Sequence, residues 1–485
     1  MKASGACSKK RNYLPPRQKS QTEGMTDLPD DIESLKAIIQ QLVAETERLK
    51  AENAELRRRL GLDSANSHKP PSSDGYQKKT IKPGLPQGEK QAKGGQPGHR
   101  GNTLERVAQP DRIEVHLPSH CRCCGRRFTA NAAHEVVQSR QVFDLPEPKL
   151  EVTEHRLGQI QCCGLLQQGE YPVEVATFVQ YGPGVRALVT KLSVEHKMPL
   201  QQIGHLFEDL YGYDLNSATV EAALELGYEL AEPVERQIMT CLLESETVHF
   251  DETGLRVAGK LHWLHVASTE GHTHLFLHEK RGGEALKSDA SILKGFTGTA
   301  VHDCWSPYFA FDEARHVLCG AHLLRELASL AENGSLWAGE MRELLLKLYQ
   351  MPHPIEVAEP VRQHYQIILA RGDGEEPPPQ RGQRGKPKRS VGRNLLDRLK
   401  KHEEGVLAFA LEPGVPFTNN QAERDLRPAK VKQKVSGCFR TKAGAQVYAR
   451  LQAVISTCRK TRREGVRQLA GVVLAPSRRV GMIGR

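Results

Sequence analysis

Three carboxylates offer the chemistry of this sequence: Asp251 in VHFDETGLRV, Asp303 in GTAVHDCWSPYF and Glu423 in FTNNQAERDLRP. Hard divalent cations are held by carboxylate oxygen, and a pair of them can hydrolyse a phosphodiester and join the freed end to a new strand. Two Mg2+ ions, or Mn2+ in their place, are therefore the expected cofactors, with Asp251, Asp303 and Glu423 as catalytic residues and metal ligands. Each acid also has a plainer reading. An aspartate at a strand end can cap a turn or pair with Arg256 or Arg315, and Arg427, four residues after Glu423, could form a helix-surface ion pair worth about 0.3 kcal/mol.

Distant acids make one site only if regular elements gather them. Residues 247–251, 261–269 and 273–278 read as three antiparallel strands with Gly259 and Gly271 in the connections. A helix is expected over 283–293, a fourth strand over 297–302, and a fifth over 315–319 ahead of a helix carrying His322. That order is the order of a ribonuclease-H-like mixed sheet with flanking helices, in which the first and fourth strands are neighbours and Asp251 meets Asp303. Glu252 alternates to the opposite face of its strand, away from the metal. Thr418 and Gln421 have capping-box spacing, which starts a helix near Asn419 and leaves Glu423 in its first or second turn. Cys319-x-x-His322 has the spacing of half a metal site, but no second half lies nearby; Cys319 reads as core and His322 as a residue behind the ligands.

The 68 Lys+Arg exceed the 58 Asp+Glu by +10, and the excess is clustered, as a surface for a polyanion would be. Residues 381–401 alone hold nine Lys or Arg against one Asp. Arg381, Arg384, Lys386, Lys388 and Arg389 in this stretch, with Arg427, Lys430, Lys432 and Lys434 after Glu423, are the expected contacts to the backbone of double-stranded DNA, which give affinity without sequence choice. A solvated basic surface is the plain alternative. The start, MKASGACSKKRNYLPP, has no apolar core of a leader, and no later run approaches the roughly 20 apolar residues of a membrane span. Membrane insertion is disfavoured and a cytoplasmic location is expected.

Eleven cysteines include the close neighbours CRCCG and QCCG, a pattern that suits a metal better than disulfides. Cys121, Cys124, Cys162 and Cys163 are the expected ligands of a structural Zn2+, with His155 in reserve, because Ile160 stands where a second C-x-x-C would begin; reduced thiols without metal are the alternative. From Ile32 a heptad places Ile32, Ile39, Thr46, Asn53 and Leu60 at a, and Leu35, Leu42, Leu49 and Leu56 at d. This is the seam of a coiled coil, with Asn53 fixing register in a parallel homodimer; an amphipathic helix packed in its own chain is the other reading. Between 182 and 240 the period is helical, and two helices around a Gly-containing turn, the second capped by Asn216 or Ser217, suit a helix-turn-helix or an ordinary all-α unit whose Glu221, Glu225 and Glu229 would repel phosphate.

The expected fold class is multidomain α/β. An unstructured segment (1–28) leads to a coiled coil (29–63), a basic Pro/Gly-rich linker (64–108), a cysteine-knuckle zinc domain (109–177) and a helical domain (178–242). A ribonuclease-H-like catalytic domain (243–440) follows, with a helical and basic insertion about 325–415, then a C-terminal helix and basic tail (441–485).

Taken in this order, the coil, the SSDG and GGQPGHRG arm, the cysteine knuckle, DETGLRV, the Trp263-bearing WLHVAST, RGGEAL, HDCWSPY, CGAHLLREL and NNQAERDLRP resemble the insertion sequence 66 transposase family of bacterial mobile elements. The resemblance implies an Asp-Asp-Glu set at Asp251, Asp303 and Glu423, a helical insertion between the last two, and metal-dependent cleavage and strand transfer of the element's DNA. It further implies a nucleoid-associated location and small accessory proteins of the same element as partners. The adjacent Cys162-Cys163 pair and the short segment after Glu464 depart from the family pattern. A non-catalytic DNA-binding regulator or end-bridging protein, and a nuclease of RNA–DNA hybrids, are the rival readings; the second leaves the coil and arm unexplained.

Overall fold

A computed structural model describes residues 31–60, 104–129, 132–378 and 389–461, and the chain divides into two compact units between Asp63 and Ser64. The first unit contains helix α1 (Ile32–Leu60), opened by Asp31, whose carboxylate accepts from Ser34 N at 2.7 Å. Its seam is bare in the single chain: Ile39, Leu42, Leu49 and Leu56 are 58, 60, 51 and 51% exposed.

In the second unit the cysteines occupy two tight turns. Cys121 O accepts from Gly125 N (3.0 Å) and Cys121 N donates to Arg126 O (2.8 Å), closing a small loop. Strands β1 (Gln159–Cys162) and β2 (Leu165–Gln168) pair around Cys163-Gly164, both left-handed (φ 53° and 77°), as a two-residue hairpin turn requires. Helices α2 (Pro183–Val194), α3 (Leu200–Tyr211), α4 (Ser217–Leu230) and α5 (Glu232–Leu243) follow. Asn216, not Ser217, caps α4, accepting from Thr219 N at 2.8 Å. Glu221, Glu225 and Glu229 are exposed on α4. Val194, Val234, Ile238 and Leu242 of α2 and α5 are buried in the core of the sheet that follows.

That sheet has the order β5-β4-β3-β6-β7, built from β3 (Thr247–Val257), β4 (Lys260–Ser268), β5 (Thr273–His278), β6 (Thr299–His302) and β7 (Arg315–Leu318). β3, β4 and β5 are antiparallel, while β6 lies parallel to β3 and β7 parallel to β6. β3 does not stop at Asp251. Val257 pairs with Lys260 across a second two-residue turn, Ala258-Gly259, with φ 48° and 77°, so the β3–β4 hairpin projects beyond the end of β6.

The helix expected over 283–293 is only α6 (Gly283–Leu286) and a separate 3-10 turn at Ile292–Gly295. Ser288 turns its hydroxyl back onto Ala285 O (2.7 Å), and its carbonyl accepts from Ser291 N (3.0 Å), the local competition by which serine interrupts helices. The break lets Ile292, Leu293 and Phe296 enter the core. After β7 come α7 (Gly320–Glu332), α8 (Leu336–Gln350), α9 (Ala358–Glu375), α10 (Val391–Lys401) and α11 (Glu403–Leu411), which enclose a core of their own around Trp337, Met341, Tyr365 and Leu396. The chain then returns to the sheet through α12 (Asn420–Ser436) and α13 (Lys442–Lys460), with Leu451, Val454 and Ile455 of α13 in the sheet core. Among the described residues no helix is long and apolar enough to cross a membrane.

A buried polar lock joins these last two helices to the sheet. Lys460 Nζ reaches Asp425 Oδ2 (2.6 Å), Thr269 O (2.7 Å) and His272 O (3.1 Å), and Thr273 Oγ1 also donates to Asp425 (3.1 Å). Removing one partner of a buried pair strands the other charge. Lys460→Met is expected to lower stability by about 3 kcal/mol in urea titration, and Asp425→Asn added to it to restore part of the loss.

Candidate active site

Strand register brings the two aspartates together. Thr247, Val248 and His249 lie beside Thr299, Ala300 and Val301 in the parallel β3–β6 pair. Two residues further along each strand, with side chains alternating, Asp251 and Asp303 fall side by side on one face. Asp303 lies just past the end of β6, where Cys304 turns the chain at φ 71°. Backbone amides orient both acids: Glu252 N donates to Asp251 Oδ1 (2.8 Å) and Trp305 N to Asp303 Oδ1 (3.0 Å). The second oxygen of each makes no hydrogen bond among the described residues.

The third acid is delivered by α12, and Asn419 sets where that helix begins. Fully buried, Asn419 donates from Nδ2 to Phe250 O (2.7 Å), accepts on Oδ1 from His249 Nδ1 (3.0 Å), and gives its backbone N–H to Cys319 Sγ (3.1 Å). Glu423 N then donates to Asn419 O (3.3 Å), which places Glu423 in the first turn. The expected capping box is not made. Gln421 donates to Asp425 Oδ2 at 3.1 Å instead of reaching back, and the side chain of Asn419 is committed to β3.

Helix α7 closes the other side of the site. Gly320 N donates to Phe417 O (2.8 Å), and a Cβ at Gly320 would come within 2.1 Å of the Phe417 ring, so only glycine lets α7 start this close to the chain entering α12. Glu423 Oε1 consequently stands 3.7 Å from Arg325 and 3.9 Å from His322, while Arg427, its expected partner, is exposed. Cys319 is core, as expected despite its half-site spacing, and burial pushes its thiol up to about 11.

The carboxylates repel one another in a partly buried region. Burial first, then Glu252, Asp303 and Glu423, holds the Asp251 carboxyl well above the ordinary carboxylate range, partly opposed by the Glu252 amide. Glu252 was not expected at the site. Its face of β3 does point away from Asp251, yet its carboxylate lies close enough to raise Asp251 and to be raised by Asp303. Burial and Asp303 raise Glu252, against Tyr308 and Arg281, which hold it at 2.6 and 2.8 Å. The Arg281 guanidinium lies 4.3 Å from the Trp305 ring centroid and 4.9 Å from that of Trp263.

Among the described residues no three His, Cys, Asp or Glu side chains are grouped to hold a metal ion, so the acids are neighbours rather than a closed cage. The donor set still suits a hard cation. Glu423 Oε1 is buried and accepts no hydrogen bond, and Asp251 faces three other carboxylates. The cysteine turns are not brought to one point either: Cys162 and Cys163 sulfurs are 3.6 Å apart, while backbone N–H groups of Cys124 and Cys123 lower the Cys121 thiol pKa.

The expected DNA contacts divide. Arg381, Arg384, Lys386 and Lys388 lie outside the described residues. Arg389 donates to Asp397 (2.9 Å), Lys430 Nζ to Gly254 O (2.6 Å) and Lys432 Nζ to Ser193 O (3.3 Å), so these cations also brace the fold; Arg427 and Lys434 are exposed.

A five-stranded mixed sheet flanked by helices thus carries one aspartate within β3, a second just past the end of the parallel strand β6, and a glutamate in the first turn of α12. Residues 179–447 match the family described as Transposase IS66, and the chain belongs to that family. Residues 24–105 match a family of unknown function, DUF6444. No curated protein matches the chain.

The raised Asp251 has a sign that can be tested. A carboxyl whose folded pKa lies above its unfolded value, about 4, stabilises the fold at acid pH and loses that contribution as pH rises through the folded value. Metal-free protein should therefore lose stability as pH rises across this window, and added Mg2+ should restore it most at the upper end. Asp251→Asn should raise metal-free stability by about 1 kcal/mol and shrink the Mg2+-induced rise in Tm, both read by calorimetry.

Proposed function

We propose that this chain is the catalytic transposase of a bacterial insertion sequence, cutting the element's double-stranded DNA and transferring the freed strand through a ribonuclease-H-like core. The observation that carries the reading is the convergence of Asp251, Asp303 and Glu423 from β3, the end of β6 and α12, in a member of a transposase family. Asp251 and Asp303 would hold divalent cations through the oxygens that the Glu252 and Trp305 amides leave free, with Glu423 completing the set through Oε1. Two Mg2+ or Mn2+ ions held there would supply activation of a water or 3′-hydroxyl and charge neutralisation at the leaving oxygen.

The chain's own contribution is orientation. Amide donors fix the aspartate rotamers, Asn419 fixes the start of α12, and burial keeps water from competing for the carboxylates. Around this core, Arg381, Arg384, Lys386, Lys388, Arg389, Arg427, Lys430, Lys432 and Lys434 are proposed to follow the DNA backbone. The bare seam of α1 supports pairing of two protomers, so that two DNA ends are processed together, with small accessory proteins of the element as further partners. The Cys121 loop, with amides directed at its sulfur, supports Cys121, Cys124, Cys162 and Cys163 as a structural zinc site.

Glu423→Gln should bind duplex DNA taken from the flanks of the gene as tightly as the wild type in a mobility-shift titration, yet yield no strand cleavage in Mg2+. Full cleavage by this variant would dismiss the assignment.

A further inference from the structure

Most arginine–carboxylate pairs among the described residues are in contact: Arg371 and Glu340 at 2.7 Å, Arg393 and Asp397 at 2.6 Å, Arg281 and Glu252 at 2.6 Å. Arg325 behaves differently. It stops 3.7 Å from Glu423 Oε1, outside hydrogen-bond reach, and makes no hydrogen bond among the described residues. Glu423 Oε1 is left buried and unsatisfied although a cation with five donors stands beside it. Were the pair structural, a shift of about 1 Å would convert it into a charge-assisted hydrogen bond, the stronger arrangement. The Arg325 side chain keeps 27% of its surface exposed.

We propose that Arg325 is a further catalytic residue, whose guanidinium contacts a non-bridging oxygen of the scissile phosphate while Glu423 faces the cations. This rests on the cleavage reading above. Its placement follows from the tight start of α7 at Gly320 against Phe417, which aims the first turns of α7 at the first turn of α12. A phosphate held near Glu423 brings two anionic oxygens into a region already holding Asp251, Glu252 and Asp303. Arg325 makes no hydrogen bond or ion pair with those three acids among the described residues and can fork onto a phosphate without displacing a metal ligand. As charge accumulates on the phosphoryl oxygens in the transition state, a fixed donor there stabilises it more than the ground state.

The test compares wild type, Arg325→Ala and Arg325→Lys as full-length proteins, cutting flank-derived duplexes with either a normal phosphate or an uncharged methylphosphonate at the cleaved position. For the phosphate substrate, Arg325→Ala should lower kcat by about 100-fold with KM little changed, and guanidinium ion at tens of millimolar should restore about tenfold. With methylphosphonate, wild type and variant should cleave at similar rates, because the charge that Arg325 contacts is gone. The Mg2+-induced rise in Tm should be kept in both variants, which separates loss of a phosphate contact from loss of the metal site or the fold. A wild-type rate in Arg325→Ala, or losses that multiply independently of the phosphate charge and resist guanidinium, would overturn the inference alone. Wild-type protein that cuts neither substrate would overturn the cleavage reading with it.

Discussion

The side chain of Asn419 joins three parts of the chain that are far apart in sequence, and the site depends on that join. Its amide spans Phe250 O and His249 on β3, its backbone N–H rests on Cys319 at the start of α7, and its carbonyl begins the α12 ladder at Glu423. A buried primary amide is costly unless its groups are satisfied, and here each bond is directional. The strand bearing Asp251, the helix bearing Arg325 and the helix bearing Glu423 therefore have few relative positions open to them. The Asp425–Lys460 lock, two residues beyond Glu423 on α12, restrains the remaining rotation about the helix axis.

Against this rigid frame, the acidic cluster is a region of unfavourable electrostatics. Four carboxylates meet in a partly buried region, one with a buried oxygen that no donor satisfies. Elsewhere the fold neutralises buried acids closely, as Arg450 does for Glu235 and Lys460 for Asp425. Here only Glu252 is treated that way, by Arg281 and Tyr308. Repulsion retained at one place in an otherwise compensated structure is the arrangement that cation binding relieves, and its cost to the metal-free protein is the usual tension between stability and function.

Much of the fold was legible from local pattern. Alternating apolar residues and glycine turns located the five strands, and their order along the chain implied that β3 and β6 would be neighbours. Asn216 announced a helix start by its side-chain chemistry. The misjudged elements share a cause. Ser288 interrupts a helix that hydrophobic spacing alone would continue, and Thr418 and Gln421 match a capping box that the tertiary demands on Asn419 and Asp425 override. Arg427 has ideal spacing for Glu423, yet a nearer cation arrives from α7, which no local spacing can announce.

By itself the sequence determined which groups could do chemistry and on what elements they ride, because side-chain type and period are properties of short segments: Asp251 on a strand, Asp303 at a strand end, Glu423 near the start of a helix. Only the tertiary structure decided their company. That Glu252 joins the aspartates, that Gly320 lets α7 bring Arg325 and His322 to Glu423, and that Lys430 and Lys432 brace backbone carbonyls are outcomes of packing between segments tens of residues apart or more. Charge and spacing cannot foretell them, since burial and distance, which set the strength of every interaction at the site, arise only when those segments meet.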